Sequence, residues 1–76
     1  MKTCRYYGST DGHNYNVVLL NSGHVHGRIV SLEVREFVAS LLPMAKIAGA
    51  AEVWGNVEIY FEVNLNDDLT FHSFVV

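Results

Sequence analysis

Two histidines at alternate positions, His24 and His26, are the first residues whose spacing suggests chemistry. On a strand, alternate side chains share a face, so both imidazoles would present to one side. His72, near the end of the sequence, or His13 would supply a third nitrogen. Zinc sites take three or four such ligands. His24, His26 and His72 are therefore the candidate metal set. A polar strand face beside a turn carries the same residues, and that ordinary reading outweighs the metal one.

Glu58 and Glu62 flank Tyr60. Two carboxylates on one strand face are the raw material of acid–base catalysis. Four residues along a strand separates them by ~13 Å, at about 3.3 Å per residue, too far to act on one bond. A solvated face is the better reading, and no catalytic residue is assigned. Trp54, next to Gly55, could line a ligand pocket with Tyr60, although a tryptophan before a glycine turn is more often a core anchor. Ser31, Ser40 and Ser73 have no nucleophile-elbow context. No glycine loop cradles a phosphate, and no cofactor is expected. Cys4 is the only cysteine, so an intrachain disulfide is impossible. It reads as an idle thiol, with an intermolecular bridge as the exception.

The elements that would position these groups are organised around residues 53–65. Val57, Ile59, Phe61, Val63 and Leu65 alternate with Glu58, Tyr60, Glu62 and Asn64. This period gives a strand with one apolar and one wet face. Before it, residues 3–8 read as a short edge strand and Ser9 to Gly12 as a turn. Residues 14–20 read as a strand ending in the apolar run Val17 to Leu20. Asn21-Ser22-Gly23 is a hairpin signal, and residues 24–30 return as a strand. The period then changes. Val34, Phe37, Val38, Leu41 and Leu42 form a helical stripe. Ser31 is placed to cap it, and Pro43 to stop it at about Leu42. Residues 44–51 form a packed connection with room for one more helical turn, and 51–54 a short strand. A last strand spans 69–76. The expected fold is α+β, a β-rich partial barrel or curved antiparallel sheet with one amphipathic helix, in the order β-β-β-α-β-β.

The 76 residues make one domain, residues 1–76. A domain of this size buries only about 60% of its unfolded surface and commonly needs a metal, disulfides or a partner chain. Half the residues are hydrophobic, which points to burial between subunits. The apolar runs are too short to span a membrane. Met-Lys-Thr-Cys-Arg-Tyr has no apolar core behind its charges, which argues against a signal peptide. A formal charge of −3 with five scattered Lys and Arg argues against nucleic acid. Cytoplasm is the expected compartment, since small domains without disulfides suit reducing conditions.

A helix ending Leu41-Leu42-Pro43-Met44, followed by Trp54-Gly55 and Glu58-Ile59-Tyr60-Phe61, resembles the cyclophilin-like family of small prokaryotic barrel proteins. The resemblance covers roughly residues 16–63. It implies a barrel fold of which this chain supplies half to two-thirds, and it carries no settled activity. The Asn56-Val57 pair is one residue longer than the family's usual connection, which calls for a bulge or a shifted turn. True cyclophilin prolyl isomerases use an arginine in an aromatic groove. No residue here maps onto it, so that activity is not carried over. The expected function is a self-associating, non-enzymatic binding or interaction protein. It would pair with itself as a homodimer or higher oligomer, with a small molecule or another protein as further partner, and without nucleic acid or membrane. The alternative is a small-molecule-binding or enzymatic barrel completed by a second chain.

Overall fold

The computed structural model describes residues 1–10, 13–20, 28–55 and 58–76, and leaves the side chains of Arg28, Ile29 and Trp54 undescribed. Six strands and two helices follow in the order β1 (Lys2–Ser9), β2 (Tyr15–Leu20), β3 (Arg28–Ile29), α1 (Leu32–Ser40), α2 (Leu42–Ile47), β4 (Glu52–Trp54), β5 (Glu58–Leu65) and β6 (Phe71–Phe74). They make one antiparallel sheet in the order β3-β2-β1-β5-β4, not closed into a barrel. The expected α+β class and element order hold, with the short strand at 52–54 making a sixth.

The alternating stretch forms β5, with Ile59, Phe61, Val63 and Leu65 buried and Glu58, Tyr60, Glu62 and Asn64 partly exposed. Its whole length pairs with β1, from Lys2↔Leu65 to Ser9↔Glu58. The other edge of β5 is shared end to end. β4 takes residues 58–60 and β6 takes 63–65. β1 also pairs along β2, from Thr3↔Leu20 to Gly8↔Tyr15. β1 is therefore central, not the edge strand its position near one end of the sequence suggested. Cys4 and Tyr6 alternate into the core accordingly.

One face of the sheet is covered by the bent helix formed by α1 and α2. Ser31 caps α1 as expected: its backbone is extended and its hydroxyl accepts the Val34 N–H at 3.5 Å. Val34, Val38, Leu41 and Leu42 are buried, while Phe37 is only partly so and packs on the rim of the core. Helix α1 ends at Ser40, within two positions of the expected stop, but the chain does not leave the helical path. Pro43 instead sits in the first turn of α2, where its missing N–H has no partner to lose. Gly49, at φ 75°, ends α2. The Ala50 N–H donates to the Ala45 carbonyl at 2.9 Å and the Gly49 N–H to that of Lys46 at 3.3 Å. This is a Schellman closure, which requires the left-handed backbone glycine adopts freely.

The core centres on an aromatic row. Phe61 stacks on Tyr6 with centroids 4.9 Å apart, and Tyr6 on Tyr15 at 5.5 Å. Phe74 meets Phe61 edge-on at 5.9 Å, and Phe71 lies 5.0 Å from Phe74. The last strand was expected to begin at Leu69. It begins at Phe71, because Leu69 lies in the turn with φ 71°. A register shift between Asn64 and Leu65 then breaks the alternation. Both Phe71 and Phe74 therefore pack against the core.

Candidate functional site

A groove of about 800 Å³ opens beside the turn that joins β1 to β2. It is lined by the end of β1, the start of β2, the first turns of α1 and the start of β5. Its volume is that of an ordinary small-molecule site. Gly8 allows the hairpin to close here. A Cβ at this position would lie 2.6 Å from the Tyr15 Cα and would also strike the Asn14 carbonyl. The Ser9 N–H donates to the Asn14 carbonyl at 2.7 Å, and the Asn14 N–H donates to the Ser9 hydroxyl at 3.1 Å.

On α1, Leu32, Arg35 and Glu36 stand at i, i+3 and i+4 and all three line the groove. The Arg35 guanidinium carbon lies over the Tyr15 ring, 5.9 Å from its centroid, at the end of the aromatic row. A cation over a ring gains about 0.5–1 kcal/mol at an exposed site. Among the described residues Arg35 makes no ion pair, and its covered Nε–H has no acceptor. From β5, Glu58 accepts the Tyr7 hydroxyl on Oε2 at 2.5 Å. That bond to the carboxylate, with burial and the carboxylate's charge behind it, raises the Tyr7 pKa. The hydroxyl is thereby held protonated, as a donor.

Glu62 belongs to a separate cluster on the outer face of the sheet. It accepts from Arg5 at 3.3 Å and from the Tyr60 hydroxyl, and the Arg5 guanidinium sits 5.3 Å from the Tyr60 ring centroid. Burial first, then the Glu62 hydrogen bond, raises the Tyr60 pKa. Glu58 and Glu62 thus have different partners, in keeping with their separation along the strand. Tyr60 borders two hollows of about 300 Å³ and about 330 Å³, one with Val75 and Glu52, the other with Arg5 and Val18. Trp54 pairs its backbone with Glu58, and its side chain lies outside the description. The β4–β5 register runs without a shift, and Asn56 and Val57 are outside the described residues.

His24 and His26 also lie outside the described residues. His72 is exposed on β6 with Nδ1 2.9 Å from the Ser73 hydroxyl. Among the described residues no three His, Cys, Asp or Glu side chains gather to hold a metal ion. Cys4 is buried beneath the sheet, and that burial raises its thiol pKa, so it is placed for packing, not exchange. Among the described residues no helix is long and apolar enough to cross a membrane. The groove itself escaped the sequence reading. Nothing local in the sequence joins Arg35 or Glu36 to Tyr7 or Glu58. The one available signal was the i, i+3, i+4 spacing of Leu32, Arg35 and Glu36. No family model, no curated protein and no solved structure matches the chain.

Proposed function

We propose that this domain is a self-associating, non-enzymatic binding protein, in which a second copy covers the corner formed by α2 and β4. The supporting observation is a set of large apolar side chains left in solvent on α2 and β4, two elements that four residues join. Ile47 is 89% exposed, Val53 60% and Met44 50%. Met44 and Ile47 are three apart on α2 and share a helical face. Val53 stands opposite the buried Ile59, on the core-facing side of the sheet, yet α1 and α2 leave it uncovered. Beside it, the outer edge of β4 has no strand partner among the described residues. Free edges invite pairing, and β4 carries neither Lys nor Pro to discourage it.

Within the same proposal, the cyclophilin-like resemblance is a reading in which strands of the second copy extend the open sheet, and the cytoplasm is the setting. Binding is favoured over catalysis because Glu58 and Glu62 are each engaged by other side chains and lie far apart along β5. Sedimentation of Ile47→Glu and Val53→Lys variants tests the surface. The wild type should sediment above the 8.5 kDa chain mass, and each variant should fall to it with an unchanged circular dichroism spectrum. Variants that stay associated like the wild type would place the contact elsewhere.

A further inference from the structure

The groove combines a cation that makes no ion pair among the described residues and a carboxylate with one oxygen engaged by Tyr7. Arg35 is held by the face of Tyr15 and makes no ion pair among the described residues. Guanidinium is permanently charged and forks onto carboxylates. Glu58 uses Oε2 for Tyr7, and among the described residues Oε1 takes part in no hydrogen bond or ion pair. Glu36 adds a second carboxylate to the lining. Among the described lining, a purely anionic ligand would face the carboxylates of Glu36 and Glu58, with the Arg35 guanidinium and the His13 ring as the groups able to donate to it. A purely cationic ligand would bring a like charge toward Arg35. A ligand with both signs satisfies both poles, and Leu32 and Tyr15 offer apolar contact between polar groups.

We infer that the groove is a binding site for a small zwitterion of amino-acid or short-peptide chemistry, its carboxylate taken by Arg35 and its ammonium by Glu58. This site shares no described lining residue with Met44, Ile47 or Val53, so either proposal can stand if the other fails. The Tyr7 hydrogen bond orients Glu58, and the Tyr15 ring orients Arg35. Both poles are thus set before the ligand arrives, which lowers the ordering cost of binding.

Titration of the isotopically labelled full chain, followed by amide chemical shifts and calorimetry, tests this. The probes are L-phenylalanine, L-leucine and the dipeptide glycyl-leucine, beside N-acetyl-phenylalanine and phenylalanine amide. The free zwitterions should give saturable shifts at Ser9, Asn14, Arg35 and Glu58. Capping either end should weaken binding by about tenfold or more, the loss expected when one charged hydrogen-bonded pole is removed. Arg35→Met should erase the difference between phenylalanine and its amide. Glu58→Gln should erase that between phenylalanine and its N-acetyl form. The capped probes test the wild type directly, so the result does not depend on either variant folding. Absence of saturable binding up to about 10 mM, or equal binding of capped and uncapped probes, would overturn the inference. So would binding of inorganic phosphate with the amino acids ignored.

Discussion

Gly8 and Gly49 are glycines for different reasons, and the difference is measurable. At Gly8 an added methyl would meet backbone atoms of Asn14 and Tyr15 in the paired strand, which cannot swing aside. Gly8→Ala should cost about 1–3 kcal/mol, as overpacking does. At Gly49 a Cβ meets nothing within 4 Å, and only the φ of 75° opposes it. Gly49→Ala should cost about 1–2 kcal/mol, the left-handed penalty alone. Urea melts of both decide it, and a Gly8→Ala melt matching wild type would refute the close hairpin. The tyrosines give a second test. Tyr7 and Tyr60 have pKa values raised above the ordinary tyrosine value of about 10. The folded state therefore holds protons there that the unfolded chain has released. The stability they add is fully present below pH ~10 and is lost as pH rises through the folded values. Ultraviolet titration should show these two tyrosinates forming late, and Tyr7→Phe should remove one of the late steps. Ionisation of Tyr7 and Tyr60 at the ordinary value of about 10 would contradict the hydrogen bonds to Glu58 and Glu62.

Among the elements, β5 and α1 were the most readable, because a strict period determines which face is buried. Ile59, Phe61, Val63 and Leu65 all fell where alternation put them. The helix stripe was right at Val34, Val38, Leu41 and Leu42 and less so at Phe37, which sits at the stripe's margin. Phe61→Ala should accordingly cost about 3–5 kcal/mol, and Phe37→Ala distinctly less. Equal losses in chemical denaturation would mean that Phe37 is as deep as Phe61. Pairing was not readable. β1 is central because β5 folds back onto it from far along the sequence, Ser9 meeting Glu58 and Lys2 meeting Leu65, and no local pattern in Thr3 to Gly8 reports that. The β6 register shift is equally silent in sequence, yet it decides that Phe71 and Phe74 share the core. Pro43 misled for another reason. Proline ends a helix but also begins one, and the Leu41 junction uses it in the second sense.

At the scale of the molecule, the open sheet and the uncovered corner are the features that most need explanation. The covered side of the sheet is served by one bent helix, which reaches the aromatic row but not Val53. Part of the hydrophobic content that pointed to burial between subunits is used within the chain, where β6 packs its half-buried phenylalanines against the core. The case for a second copy now rests on Ile47, Val53 and Met44, which the sequence pattern had merged into a packed connection and a short strand. The groove is lined from β1, β2, α1 and the start of β5 and shares none of these three side chains, although Lys46 of α2 donates to the Thr10 carbonyl in the turn beside it. The most direct measurement is the mass of the unmodified chain in solution by light scattering at micromolar concentration. Self-association predicts a mass of at least twice 8.5 kDa that falls on dilution. A mass of 8.5 kDa, unchanged across the concentration range, would contradict it.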